Sequence, residues 1–274
     1  MNSQPKWAIL DLETRCNLAL AREVLDLAPC VDPLEVCQRL VEQGHAESSG
    51  FLKLPFHEPV CGAVLLAERR EAAPAAPIVA TGWLCWRADE APLEGFVGSF
   101  FESIAGRVCV GFNSTGFDLP LMELWASRMR LAAPAYFDSP HSPRVAPALN
   151  CDLQREAAGS HGRVGRFDLL CKFHGLPGKP GMSGKDVESM VASGRLDEVQ
   201  AYNVTDVLQS FLLLLHLQVR SGALTREAAT GSAKRAIELT RSEVGGRLPS
   251  ASRAWELLTA SLDACAKAPI ADAG

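Results

Sequence analysis

The first apolar run of the chain, Trp7-Ala8-Ile9-Leu10, ends in Asp11-Leu12-Glu13, and residues 7–12 read as a buried strand. Between 18 and 44, Leu18, Leu20, Val24 and Leu25, then Leu34, Val36, Cys37, Leu40 and Val41, recur at helical spacing. Pro29 and Pro33 divide that stretch, which predicts two short helices. Residues 60–68 and 78–86 have the make-up of strands, with an Ala/Pro-rich turn at 72–77, and so predict a hairpin. An amphipathic helix follows at 92–105. Next come an apolar strand at 108–112, closed by Asn113, and a helix that starts near Pro120 and runs through Arg130. A Pro/Ser-rich loop at 133–147 precedes a short strand within 148–153. Residues 167–174 read as a helix stopped by Gly175, residues 178–185 as a Gly-rich basic loop, and residues 196–219 as a long helix. Two more helices are predicted near 225–241 and 251–266, and no internal repeat is visible. A hairpin and parallel-type strands, then strands alternating with helices, imply a mixed α/β sheet covered by helices.

A chain of 274 residues with 47% hydrophobic residues can bury a full core, and one large domain is the default. The net charge of -5 excludes a basic groove over the whole surface, so any contact with nucleic acid must use a local patch. The nine cysteines form no Cys-x-x-Cys pair and mostly sit in apolar runs. That favours buried thiols over disulfides or zinc and predicts a soluble, cytoplasmic protein. The N-terminus lacks a signal-peptide core, and the most apolar stretch, 211–215, is far too short to span a bilayer.

The chemistry concentrates on acids. Strand alternation makes Asp11 and Glu13 project the same way, and two carboxylates that close ionise cheaply only around a cation. Asp118 follows a buried strand and a Gly-containing turn. It suits either the cap of the next helix, with Pro120 in the first turn, or a meeting with the strand-end acids. Tyr202 and Asp206, four apart, share one face of a helix that continues into the apolar run 207–215. A carboxylate there needs an ionic partner, such as an arginine at the helix start, or a metal.

Asp11-x-Glu13, then Asn113-x-x-x-Phe117-Asp118, then Tyr202-x-x-x-Asp206 resemble, in this order, the three motifs of DEDD-type 3′–5′ exonucleases. The tyrosine form resembles the DEDDy branch, and no histidine takes the Tyr202 place. Residues 175–179 and 184–187, Gly-Leu-Pro-Gly-Lys and Gly-Lys-Asp-Val, resemble the predicted exonucleases related to the proofreading domain of family B DNA polymerases. The resemblance covers about 6–218. It implies a ribonuclease H-like fold of about five strands, with 1–219 as the exonuclease domain and 220–274 as a helical extension. Two departures stand out. Asn203 replaces the cysteine frequent after the motif tyrosine, a change not expected to disturb the chemistry, and the helical stretch 16–54 is longer than in many relatives.

The resemblance implies two ions, Mg²⁺ or Mn²⁺, held by Asp11, Glu13, Asp118 and Asp206. Asp11 bridges them, and Tyr202 orients the attacking water. Asp152, before Leu153, is a minor candidate whose simpler role is a strand-end turn. The implied partner is the 3′ end of single-stranded DNA, with RNA as the alternative and a catalytically silent nucleic-acid-binding or scaffold protein as the rival. Substrate contacts fall to Leu12, Thr14, Asn113, Phe117, Lys179 and Lys185. Phe56, Phe112 and Phe117 are placed either to stack on a terminal base or to fill the core. Arg163, Arg166, Lys172, Lys179 and Lys185 form the one basic concentration, either gripping phosphates or lying as a solvated loop. Gly178, Gly181 and Gly184 permit a close backbone approach to a ligand. His57-Glu58 reads as structural.

Overall fold

The computed structural model describes residues 5–268 apart from 70, 72, 139–141, 145, 159–164, 180, 183 and 185. Lys185 and Arg163 therefore lie outside the described residues. Five strands, β1 (Lys6–Cys16), β2 (His57–Glu68), β3 (Val79–Arg87), β4 (Val108–Gly111) and β5 (Asn150–Asp152), form one sheet in the order β3-β2-β1-β4-β5. β2 runs antiparallel to both β1 and β3, while β1, β4 and β5 run parallel. This is a mixed sheet with the ribonuclease H-like arrangement.

Alternation along β1 divides the molecule into two layers. Trp7 and Ile9 enter a core shared with α7 (Phe167–Phe173), α9 (Leu196–Arg220), α10 (Arg226–Glu243) and α11 (Arg253–Lys267). Ala8, Leu10 and Leu12 face α3 (Leu93–Ile104), α4 (Asp118–Met129) and the short α5 (Pro134–Phe137). Asp11 and Glu13 inherit the α9 face by the same parity. Gly62 of β2 lies where Phe96 crosses the sheet, and a Cβ there would sit 2.4 Å from Phe96 Cζ. Gly62→Ala is expected to lower the free energy of unfolding by about 1–3 kcal/mol through overpacking, read from urea midpoints.

The two short helices between β1 and β2 form as the proline spacing predicts, as α1 (Leu18–Val24) and α2 (Pro33–Glu42). They close a small cluster of Cys16, Ala21, Leu25, Val36, Leu40 and Phe56 at the end of β1. Phe56 is thus a core side chain. α6 (Leu153–Ala158) and α8 (Val187–Ala192) are one to two turns long, too short for a clear periodic signal.

α9 is buried almost all round because the sheet covers one side and α10 and α11 the other. The helices after residue 219 share the sheet's core and seal its outer strand. Ser232 Oγ accepts from Ile78 N at 3.0 Å, and Glu243 Oε2 accepts from Trp83 N at 3.1 Å. All nine cysteines are free, with Cys16, Cys61, Cys109, Cys171 and Cys265 buried and Cys30 exposed. Among the described residues no helix is long and apolar enough to cross a membrane.

Candidate active site

β1 overhangs its parallel neighbour. Its pairing with β4 spans only Trp7–Val108 to Ile9–Val110, so the next backbone donors on that edge lack a strand. Asp118 fills the gap, its Oδ1 accepting from Leu12 N at 3.0 Å. Helix α4 begins at Asp118, without a side-chain cap at its N-terminus. The capping role is therefore corrected: the carboxylate reaches across to β1. Where β1 continues, β2 inserts Val60 between the Glu13–Cys61 and Thr14–Pro59 pairs, a bulge directly after the acid pair.

On the α9 face, carboxylate oxygens of Asp11, Glu13 and Asp206 lie within 4.8 Å of one another. Three acids far apart along the chain thus converge, and Asp118, at the start of α4, binds β1 between Asp11 and Glu13 through the Leu12 N–H. Glu13, Asp118 and Asp206 are buried, and Asp11 is partly exposed. Burial, reinforced by the neighbouring acids, pushes the Asp11 carboxyl well above the carboxylate range. Burial lifts Glu13 to about 8 against the pull of Lys179. It also lifts Asp118 to about 7 against the two backbone N–H groups the carboxylate accepts from.

Lys179 does not extend from a phosphate-gripping loop but turns into this cluster. Its Nζ lies 2.7 Å from Asp206 Oδ2 and donates to Tyr202 Oη, 4.6 Å from the centroid of that ring. Burial works against its charge, yet Asp206, Asp11 and Glu13 together raise its pKa above an ordinary lysine's. Asp206 therefore has a cationic partner, from the loop rather than from the helix start, where Arg195 pairs with Glu198. Burial, with the surrounding carboxylates, pushes the Tyr202 phenol far up, so it stays protonated.

The Gly-rich loop is built around that lysine. Gly178 has φ +71, and a Cβ on it would lie 2.4 Å from Asp168 Oδ1. Its N–H donates to Gln209 Oε1 at 2.7 Å, and its carbonyl accepts from Gln209 Nε2 at 3.0 Å. Lys179 N donates to Asp168 Oδ1 at 2.7 Å. The close approach at Gly178 is thus to protein groups, while among the described residues nothing lies within 4 Å of a Cβ at Gly181 or Gly184. The expected basic concentration disperses among the described residues: Lys172 pairs with Asp168, and Arg166 is exposed at the start of α7.

The other expected contacts divide. Thr14 Oγ1 donates to His57 Nδ1 at 2.9 Å, because His57 Nε2 donates to Leu52 O at 3.0 Å. Phe117, Phe51 and the His57 ring form a three-ring cluster, with the phenylalanine centroids 5.0 and 4.6 Å from His57 and 5.2 Å from each other, and Phe51 is exposed. Leu12 is a core side chain, and Phe112 packs edge-on to Phe167. Asn113 takes φ +60 and donates its N–H to Asp152 Oδ1 at 2.9 Å. Thr115 Oγ1 donates to Asp152 Oδ2 at 2.6 Å. Asp152 thereby fixes the β4–α4 turn that carries Asp118, the turn role expected for it.

Sequence reasoning missed Asn203, whose Nδ2 donates to Asp11 Oδ2 at 2.7 Å, and Gln209. Gln209 stands three residues after Asp206 in an apolar run, and that spacing is the signal that marks it.

A divalent cation fits this donor set. All the ligands are hard oxygens, as Mg²⁺ and Mn²⁺ prefer, and Asp206 Oδ1 is buried with no hydrogen-bond partner among the described residues. The acidic cluster, at the overhanging end of the central strand of a ribonuclease H-like sheet, could thus hold a hard divalent metal ion. The family of predicted 3′–5′ exonucleases related to the exonuclease domain of PolB matches residues 49–248, and the chain belongs to that family. The match includes Asp118, Lys179, Tyr202 and Asp206 and extends through α10, whereas Asp11 and Glu13 precede it. No curated protein and no solved structure matches the chain.

Proposed function

We propose that the protein is a metal-dependent 3′–5′ exonuclease that hydrolyses single-stranded DNA from its 3′ end. The convergence of Asp11, Glu13 and Asp206, with one buried Asp206 oxygen left without a partner, carries this reading. When bound, two divalent cations supply an activated water and neutralise the leaving oxygen. Asp11 would hold both ions, Glu13 and Asp206 would complete the ligands of one, and Asp118 would serve the other. Tyr202 is too weak an acid to act as a base at neutral pH, so its hydroxyl orients water by hydrogen bonding. Lys179 holds Tyr202 and Asp206 in place and presents positive charge where a substrate phosphate would sit. Leu12, Thr14, Asn113 and Phe117 lie on the strand end and the turn that border this cluster. In this reading residues 1–219 form the exonuclease domain and 220–274 its helical extension, of which α10 and α11 pack behind the site.

The test uses 5′-labelled DNA and RNA oligonucleotides incubated with the protein and Mg²⁺ or Mn²⁺. Ladders shortened from the 3′ end, faster on DNA, slowed by a 3′-phosphate and lost in EDTA are the expected result. Cleavage in EDTA, or cuts in a closed circle, would overturn it. Faster trimming of RNA would reassign the substrate, and no trimming of either would favour a silent binding protein.

A further inference from the structure

Asn203 is fully buried in the first third of α9, between Tyr202 and Asp206. A buried amide is costly unless both its ends are satisfied, and an apolar residue would fill the same space without that demand. Both ends are used. Nδ2 donates to Asp11 Oδ2 at 2.7 Å, and Oδ1 accepts from Cys61 Sγ at 3.8 Å. With the amide pointing this way, the NH₂ meets the metal-binding form of Asp11, an ionised carboxylate that only accepts. The buried Cys61 thiol donates to the carbonyl end.

The same device recurs across the cluster. Asp118 Oδ1 is held by the Leu12 N–H, Asp206 Oδ2 by Lys179, and Asp11 Oδ2 by Asn203. Each of these three carboxylates has one oxygen anchored by a donor from another element, which leaves lone pairs for a cation. Asn203 does this without adding a charge that competes with the ion.

We propose that Asn203 is a positioning residue for Asp11: its amide, braced by the Cys61 thiol, holds the Asp11 carboxylate in the orientation that receives the metal ions. This role rests on the two-ion site proposed for the acids. Donors that orient a metal ligand typically contribute 10–100-fold to metal affinity.

The experiment titrates Mn²⁺ into the full chain by calorimetry. It compares the wild type with Asn203→Leu, which removes the donor at nearly constant volume, with Asn203→Ser, and with Asp11→Asn. Both Asn203 variants should bind Mn²⁺ about 10–100-fold more weakly, with a lowered kcat and an unchanged KM for the oligonucleotide. If Asn203→Leu does not fold, Asn203→Ser decides alone. Unchanged Mn²⁺ affinity in the folded Asn203 variants, with or without a lower melting temperature in EDTA, would overturn the proposal while Asp11→Asn still weakens binding. If Asp11→Asn binds Mn²⁺ as tightly as the wild type, the two-ion reading fails and the role of Asn203 falls with it.

Discussion

Asp11→Ala is expected to abolish trimming of a 3′ end, a loss of about a thousandfold or more, because it removes the one carboxylate assigned to both ions. Tyr202→Phe should retain measurable activity. It removes a hydrogen bond worth about 1.5–3 kcal/mol, so the loss is about a hundredfold at most. The structure also supplies a control against misfolding. Burial and the adjacent acids make a charge at Asp11 unfavourable in the metal-free cluster. Asp11→Asn removes it while keeping an acceptor for the Asn203 amide, so it should leave the melting temperature in EDTA unchanged or raised, and a dead but equally stable Asp11→Asn places the defect in the chemistry. Single-turnover trimming of a labelled oligonucleotide, with melting curves in EDTA, measures both quantities. Full activity in Asp11→Ala would show that the hydrolytic site lies elsewhere. A Tyr202→Phe variant as inactive as Asp11→Ala would mean that the tyrosine does more than orient water.

The parity of β1 is legible in the sequence alone. Trp7 and Ile9 need one covered face, so Asp11 and Glu13 have to emerge on it. The 3.6-residue period does the same for Tyr202 and Asp206. What the sequence does not reveal is anything set by contacts distant along the chain. Asp118 resembles a helix cap because its local setting, a turn followed by Leu119-Pro120, suits one. Its actual partner, the Leu12 N–H, becomes available only because β4 stops short of β1. Lys179 sits in a run of glycines that reads as a solvated loop. Gln209, 31 residues beyond Gly178, turns that loop inward through two bonds to the glycine's backbone. Asn203 reads as a neutral replacement because its two partners, Asp11 and Cys61, are far away along the chain. The substrate's sugar leaves no trace in the sequence or in the fold, since the groups facing a 2′-hydroxyl depend on a bound strand.

Adding Mn²⁺ should raise the melting temperature more above pH 8 than near pH 5, and the sign follows from Glu13. Unfolded, that carboxyl titrates near its ordinary 4.5; folded without metal, burial lifts it to about 8. Between those values the native protein keeps a proton that the unfolded chain has released. Metal-free stability therefore declines as pH rises from about 4.5, and the decline is complete above about 8, a cost on the order of a few kcal/mol. Asp118, lifted to about 7, adds to the same slope. A bound divalent cation needs the ionised carboxylates, so it reverses the penalty where the penalty is largest. At a hundredfold excess over Kd, binding to the native state alone adds about 2.7 kcal/mol, or roughly 5 °C or more for a chain of this size. Glu13→Gln keeps the shape and removes the ionisation. In EDTA it should melt at or above the wild-type temperature near pH 8, with a flatter dependence on pH, and it should gain less from Mn²⁺. Melting curves across pH 5–8.5 with EDTA or Mn²⁺ measure all of this. A Mn²⁺-induced shift equal in Glu13→Gln and the wild type at every pH would remove Glu13 from the ligands and leave its burial a purely structural cost.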